Sequence, residues 1–264
     1  MRHGLLVANV GTYSDPRNVV RLAAVAEESG WEALLVWDHL AFVWGPPAAD
    51  AWTTLGAVAQ ATSRLVVGTG ITPVPRRRPQ VLAQAGATLD LLSGGRFVFG
   101  AGLGGIPSEF TAFGEEDAPR TRAEQLDEGL DLLRRLWAGE SVEHDGRHYR
   151  IDGVTLAPLP VQQPVPIWIG GNSPRALARA ARFDGWFADS SDPHRMTISP
   201  EELARRIETI GRGDGFDVIV HGYSDQVEPR AYADAGATWW LEDVHDTRAP
   251  YDDLLARVAA GPPG

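Results

Sequence analysis

The chain has 264 residues, of which 44% are hydrophobic and 22% charged, a balance typical of globular proteins with one large or two small domains. Its formal net charge of −11 disfavours nucleic-acid binding, which depends on neutralising phosphates, and no polybasic cluster predicts membrane-surface binding. There is no Cys, and all 24 basic residues are Arg, which excludes thiol chemistry, disulfides and Schiff bases. No signal peptide and no window approaching the ~18 apolar residues of a membrane span are apparent, which predicts a cytoplasmic protein.

Short apolar runs alternate along the chain with longer amphipathic ones. The strand-like runs, rich in Val, Ile, Leu and aromatic residues as buried parallel strands are, lie at 3–10, 31–37, 65–71, 97–101, 166–170, 186–189, 216–222 and 238–241. The helical patterns follow them in turn, at 17–29, 51–62, 79–92, 120–138, 174–182, 200–212, 229–235 and 251–259. Eight strand–helix units in a chain of this length predict a single (β/α)8 TIM barrel, an α/β fold, over residues 1–264.

One insertion interrupts the alternation between the fourth helix and the fifth strand. Residues 139–153 contain two strand-like runs on either side of Asp145-Gly146, a pair typical of the primed turn of a β-hairpin. Residues 157–166 carry four prolines and are expected to form an extended connector. His144 and His148 flank the turn, and their position on a hairpin predicts an exposed surface, so no metal site is expected.

The active site of such a barrel lies at the carboxyl ends of its strands. The first strand delivers Asn9, and the second delivers Asp38 followed by His39. A histidine at this place either moves a proton near neutral pH or satisfies a buried acceptor, and the sequence leaves both open. Aromatic residues around the mouth predict an apolar substrate cavity: Phe42, Trp44, Trp52 and Phe110.

Three consecutive strands end in glycine, at Gly70, Gly102 and Gly170. Glycine weakens a strand unless another backbone or a flat ligand must approach closely. These residues therefore point either to a planar cofactor over the barrel mouth or to a crowded layer of small residues. The run at 100–105 satisfies G-x-G-x-x-G, but no helix opens directly after it, which disfavours a dinucleotide-binding fold.

The segment after the fifth strand combines two glycines, a capping Ser and an Arg in the first turn of the next helix. The amides of Gly170, Gly171 and Asn172 and the positive helix end would form a seat for phosphate, which Arg175 can close. The alternative is an ordinary capped helix with a solvent-facing Arg. A second positive cluster at 76–78 is either a solvated loop or the grip on an anionic group.

Several segments share the order and spacing of one known family: 28–31, 36–39, 68–72, 78–79, 91–97, 100–102, 136–140 and 166–171. On these segments the chain resembles the luciferase-like monooxygenases, which are flavin- and deazaflavin-dependent (β/α)8-barrel oxidoreductases. The likeness runs from about residue 4 to residue 187, and 235–240 is similar as well. Dimers are common in this family, so the resemblance further implies a homodimer.

The resemblance implies roles for individual residues. His39, with Asp38 beside it, would lie next to the flavin ring, and these two are the predicted catalytic residues. Gly70 and Ile71 would form a bulge with a non-prolyl cis peptide that supports the ring. Gly105 stands where members that oxidise sugar phosphates carry an acidic residue, which disfavours that substrate class. The predicted cofactor-binding residues are Asn9, Gly70, Ile71, Gly102, Gly170, Gly171, Asn172 and Arg175.

The function expected first is that of a two-component monooxygenase. Reduced FMN from a flavin reductase partner would activate oxygen to oxidise a small organic substrate. The alternative is hydride transfer with the deazaflavin coenzyme F420, whose anionic tail would meet the cluster at 76–78. A non-catalytic flavin-binding barrel is a third hypothesis. A glycosidase is disfavoured, because the fourth and seventh strand ends lack the paired carboxylates that it needs.

Overall fold

The computed structural model describes residues 1–40 and 45–263, so Phe42 and Trp44, which were expected at the cavity, lie outside the described residues. In chain order the strands are β1 (Arg2–Val7), β2 (Ala33–Val36), β3 (Val66–Thr69), β4 (Thr72–Pro73), β5 (Phe97–Gly102), β6 (Val142–Asp145), β7 (Arg150–Val154), β8 (Ile167–Gly170), β9 (Gly185–Phe187), β10 (Asp217–Gly222) and β11 (Trp239–Val244). The helices are α1 (Pro16–Glu28), α2 (Ala51–Ala61), α3 (Pro79–Ser93), α4 (Ser108–Thr111), α5 (Pro119–Trp137), α6 (Pro174–Ala180), α7 (Pro200–Ile210), α8 (Pro229–Asp234) and α9 (Tyr251–Ala259).

The strands β1 to β5 and β8 to β11 form a closed parallel barrel. Neighbours pair in the order β3, β2, β1, β11, β10, β9, β8 and β5, and a further pairing of β3 with β5 closes the ring. β4 continues the position of β3 and also pairs with β5. Helices follow the strands and cover them from outside, so the predicted (β/α)8 TIM barrel is confirmed.

Side chains fill the barrel interior, as in other barrels of this size. Successive residues of a strand point to opposite faces: on β1, Leu6 belongs to the inner cluster, whereas Leu5 and Val7 pack outward against the helices. The inner cluster consists of Leu6, Ala33, Leu35, Val98, Trp168, Phe187, Ile219, Trp239 and Leu241. Leu6 and Phe187 also border the cavity at the carboxyl ends of the strands, so this packed interior forms its base.

The third strand differs from its predicted extent of 65–71. β3 ends at Thr69, the peptide bond between Gly70 and Ile71 is cis, and the chain resumes as β4 at Thr72. The bulge and its cis peptide are those that the family resemblance implied. They bring Ile71 to the mouth of the barrel, where its side chain borders the cavity.

β6 and β7 form the antiparallel hairpin that was predicted between the fourth long helix, α5, and the next barrel strand, β8. Its predicted turn is wrong: Asp145 pairs with Arg150, residues 146–149 connect the strands, and Gly146 has no positive φ, which a primed turn requires. The helix α4 is too short to leave a helical period in the sequence. Within residues 1–40 and 45–263, no helix combines the length and hydropathy needed to span a bilayer.

Candidate active site

A cavity of about 440 Å³ opens at the carboxyl ends of the barrel strands. The predicted site residues that line it are His39, Gly70, Ile71, Gly102, Gly170, Gly171 and Asn172. In the described part of the chain, the predicted residues that do not line it are Asn9, Asp38 and Arg175. The barrel therefore brings most of the predicted site together, and the other three residues have different surroundings.

Ile71 and the glycines around it form the floor of the cavity. A Cβ atom at Gly102 would lie 2.8 Å from Ile71 Cγ2, and one at Gly170 would lie 3.0 Å from Ile71 Cγ1. At Gly100, a Cβ atom would lie 2.0 Å from the carbonyl oxygen of Thr69. These glycines make room for the bulge of the third strand. This agrees with the alternative in which they form a crowded layer of small residues. They also leave Ile71 as an apolar floor without side chains rising beside it.

His39 stands on one wall of the cavity, immediately after β2. Its Nδ1 lies 3.1 Å from Glu109 Oε1, and the Leu40 amide N–H donates to the same oxygen. An ionised carboxylate only accepts hydrogen bonds, so Nδ1 must carry the proton in this pair. In the neutral form of the ring, Nε2 is then the basic nitrogen of His39, and a basic nitrogen can take a proton from a substrate.

Glu109 belongs to a buried network of ion pairs. Its side chain is 1% exposed, and Oε2 accepts a hydrogen bond from Arg76 Nη1 at 2.7 Å. Arg76 Nη2 donates to the carbonyl and Oδ1 of Asp38, at 2.6 and 3.1 Å, and Arg77 Nη2 donates to Asp38 Oδ1 at 2.6 Å. Arg76 and Arg77 are therefore neither a solvated loop nor a free anion grip. They fix the backbone around His39, and each buried charge is paired, as burial of charges requires.

Asp38 and Asn9 hold this region from inside instead of facing the cavity. The Asp38 carboxylate accepts further hydrogen bonds from Thr72 Oγ1 at 2.9 Å and from Trp52 Nε1 at 3.2 Å, so both of its oxygens are occupied. Asn9 Nδ2 donates to the carbonyl of His39 at 2.8 Å, and Asn9 Oδ1 accepts from the amide of His39 at 3.3 Å. In this structure Asp38 and Asn9 thus contact the segment that carries His39 and do not line the cavity.

The predicted phosphate seat after β8 is present only in part. Asn172 reaches the cavity, but its side chain is bound to the backbone of Asp189: Nδ2 donates to the carbonyl at 2.7 Å, and Oδ1 accepts from the amide at 3.2 Å. Arg175 is exposed on α6, as in the solvent-facing alternative. The arginine that borders the cavity is Arg179, whose Nε and Nη2 bind Asp127 at 2.7 and 2.8 Å.

A buried histidine–aspartate pair lies in the wall formed by the ends of β10 and β11. His221 Nδ1 is 3.0 Å from Asp243 Oδ1, and Ser191 donates its hydroxyl proton to Asp243 Oδ2 at 2.5 Å. Burial of the His221 ring disfavours the charged form, but the Asp243 carboxylate outweighs it and raises the pKa of His221 above its ordinary value. The Ser191 oxygen has no proton left to donate, and it also lies 3.1 Å from His221 Nδ1.

His245 follows β11 and has a defined tautomer. Tyr223 Oη lies 2.7 Å from the carbonyl oxygen of Asp192 and 3.0 Å from His245 Nε2. A carbonyl only accepts, so the Tyr223 proton lies in the bond to Asp192, and His245 Nε2–H donates to Tyr223. Burial lowers the pKa of His245, which keeps the ring neutral and its Nδ1 an acceptor. The ring stacks on Trp37, with centroids 5.7 Å apart.

Sequence reasoning missed the partner of His39 and the pair of His221 and Asp243. Glu109 is 70 positions away from His39 and lies on the short helix α4, so no motif or period links the two. His221 and Asp243 do lie at the ends of predicted barrel strands, and that position is the signal that could have found them. They become neighbours only because β10 pairs with β11 when the barrel closes.

Comparison with known proteins identifies the family. Residues 2–255 match the family model of the luciferase-like monooxygenases, and the chain belongs to this family. An F420-dependent glucose-6-phosphate dehydrogenase of Nakamurella multipartita is 37% identical over 216 residues, which cover 78% of this chain and 62% of that protein. An F420-dependent hydroxymycolic acid dehydrogenase of Mycobacterium tuberculosis is 34% identical over 263 residues, which cover 92% of this chain and 72% of that protein.

The chain spans about three fifths of the length of the first of these relatives. Among solved structures, an F420-dependent secondary alcohol dehydrogenase in complex with an F420–acetone adduct superimposes with a TM-score of 0.79 at 18% identity, covering 99% of both chains. At 18% identity, this structural similarity establishes the fold alone. Both of the sequence relatives named above are F420-dependent dehydrogenases.

Proposed function

We propose that the protein is an F420-dependent oxidoreductase that removes a hydride from the hydroxyl-bearing carbon of a small molecule. The observation that carries the proposal is His39, whose Nδ1 proton is bound to Glu109 so that Nε2 is basic on the wall of the cavity. The named relatives support the deazaflavin alternative more than the two-component FMN monooxygenase that was expected first. A flavin reductase partner is not needed in this scheme.

The residues present fit a flavin-type ring. A volume of about 440 Å³ lies in the range of pockets that bind small molecules and cofactors. The floor is flat because Gly102 and Gly170 lack the side chains that would meet Ile71. Ile71 and these glycines would support the ring, and Gly171 and Asn172 would lie at its phosphate-bearing chain. When bound there, the deazaflavin supplies a two-electron hydride acceptor.

Residues of this chain would accept the proton that the reaction releases. An alcohol that becomes a carbonyl loses a hydride from carbon and a proton from oxygen, and His39 Nε2 would take that proton. The imidazolium that forms would be stabilised by the Glu109 carboxylate at Nδ1. Arg76 and Asp38 keep Glu109 and the His39 backbone in place, which holds Nε2 in one direction before the substrate arrives.

The test is anaerobic turnover with purified protein, F420 and a panel of alcohols deuterated at the carbinol carbon. We expect F420 reduction, transfer of the deuterium to the reduced coenzyme, and loss of turnover in His39→Asn. His194→Asn, which alters an exposed histidine, is the matched control and should retain full turnover. Oxygen uptake with reduced FMN and an oxygenated product, without alcohol-dependent F420 reduction, would refute the proposal.

A further inference from the structure

One wall of the cavity presents hydrogen-bond acceptors from the segments that follow β9 and β11. Asp189 follows β9 and borders the cavity. Its backbone binds Asn172, whereas none of the described residues donates to its carboxylate oxygens. A carboxylate accepts and does not donate. Ser191, two residues further, also borders the cavity. It has given its proton to Asp243, and its oxygen, which lies 3.1 Å from His221 Nδ1, can offer one remaining lone pair as an acceptor.

The third acceptor is His245, which is 4% exposed and borders the same cavity. Its Nε2–H is committed to Tyr223, so the remaining ring nitrogen, Nδ1, carries a lone pair. No donor among residues 1–40 and 45–263 is bound to that nitrogen. Nδ1 therefore opens onto the cavity as an acceptor, where a ligand donor can bind it.

The cation beside this wall is already neutralised. Arg179 is the single arginine among the described residues that line this cavity, and its guanidinium is bound at two nitrogens to Asp127. A phosphate or carboxylate group of a substrate placed against Asp189, Ser191 and His245 would meet acceptors and the negative charge of Asp189.

We propose that Asp189, Ser191 and His245, termed here the acceptor wall, select an alcohol that carries a second hydrogen-bond donor, a hydroxyl or an ammonium group. The inference rests on the proposed function, because the alcohol would occupy the same cavity. Such a donor satisfies the acceptors of the wall. A phosphorylated or carboxylated alcohol leaves them unpaired and is repelled by Asp189, which gives selectivity by exclusion as well as by attraction.

The test compares matched ligands on the F420-loaded protein, with binding followed by saturation-transfer NMR and turnover by F420 reduction. The pairs are cyclohexanol with trans-cyclohexane-1,2-diol and with trans-2-aminocyclohexanol, and glycerol with glycerol 3-phosphate. One additional hydrogen bond corresponds to about a three- to tenfold gain in affinity. We expect that gain for the diol and the amino alcohol, and no binding of glycerol 3-phosphate.

Substitutions in the acceptor wall test whether it causes the gain in affinity for the diol and the amino alcohol. Asp189→Asn and Ser191→Ala should each reduce the ratio of diol to cyclohexanol affinity about three- to tenfold, with the larger loss for the amino alcohol in Asp189→Asn. Asp253→Asn removes the same charge from an exposed position of α9 and should leave every ratio unchanged. Asp189 is exposed, so its substitution should not impair folding.

The outcomes separate this inference from the function on which it rests. F420 binding is measured first, by quenching of the coenzyme's fluorescence, and its absence overturns the proposed function together with the acceptor wall. F420 binding combined with a preference for glycerol 3-phosphate, or with equal affinity for diol and cyclohexanol, overturns the acceptor wall alone. So do ratios that stay unchanged in both Asp189→Asn and Ser191→Ala.

Discussion

The substitution Glu109→Gln isolates the buried carboxylate that orients His39. Three donors converge on Glu109: Arg76 Nη1 on Oε2, and His39 Nδ1 and the Leu40 amide on Oε1. A glutamine has one acceptor and one donor end, so either orientation points its NH2 group at a donor. Each hydrogen bond to a charged group is worth about 1.5–3 kcal/mol, and breaking a buried ion pair costs about 3–5 kcal/mol.

We therefore expect Glu109→Gln to lower the unfolding free energy by about 3 kcal/mol, which is a decrease in Tm of about 6–12 °C for a protein of this size. Misplacement of His39 should lower kcat about a hundredfold, with F420 affinity nearly unchanged. Thermal unfolding followed by circular dichroism and steady-state F420 reduction measure the two effects. Long-range proton–nitrogen NMR should show His39 protonated at Nδ1 in the parent and as a mixture of tautomers in the variant.

Glu115→Gln is the matched control, because Glu115 is exposed and the chemical change is the same. It should alter neither Tm nor kcat. The reasoning is refuted if Glu109→Gln keeps the parent Tm, kcat and His39 tautomer, since the ion-pair network would then not position His39.

Three further predictions concern the floor, the support of His39 and the acceptor wall. Gly100→Ala places a Cβ atom 2.0 Å from a backbone carbonyl oxygen and should lower the unfolding free energy by more than about 3 kcal/mol. In the control Gly105→Ala, the new Cβ atom meets nothing within 4 Å, and the unfolding free energy should change by less than about 0.5 kcal/mol. Urea unfolding of both variants measures the two changes. Asn9→Ala leaves two backbone carbonyls without their donor and should cost about 2 kcal/mol and lower kcat, while an unchanged kcat would contradict its positioning role. Burial lowers the pKa of His245 below 6.5, so the unfolded chain binds this proton first as pH falls, and the unfolding free energy should decrease below pH 6.5 by up to ~1.4 kcal/mol per pH unit from this group. His245→Gln should flatten that slope in urea titrations across pH, and a slope equal to that of the parent protein would contradict the reasoning.

The fold was predictable because its signals are local and repeated. Eight strand–helix alternations specify the barrel, and strand ends are where a barrel concentrates its chemistry. His39 and the pair Gly70 and Ile71 could be assigned in this way. The bulge was accessible only through family resemblance, because no local period marks a cis peptide.

The hydrogen bonds and ion pairs that position the site residues were not predictable from the sequence, because they join residues that are distant in sequence. The sequence predicts Asp38 as catalytic from its place beside His39, whereas the hydrogen-bond partners of its carboxylate come from α2, β4 and residues 76–77. The sequence leaves the role of Arg76 undecided, because its partner Glu109 lies on α4, which is distant in sequence. The His245 tautomer follows from a carbonyl contact of Tyr223, which only coordinates reveal. A sequence indicates which residues reach the mouth of a barrel, but the fold decides which of them pair with one another.

The most direct measurement for the central claim is a parallel titration of the purified protein with F420, oxidised FMN and reduced FMN, followed by absorbance and fluorescence. The account predicts that F420 binds in preference to both forms of FMN and is reduced by an alcohol without oxygen uptake. Preferential binding of reduced FMN, with substrate-dependent oxygen consumption, would contradict it and restore the monooxygenase hypothesis.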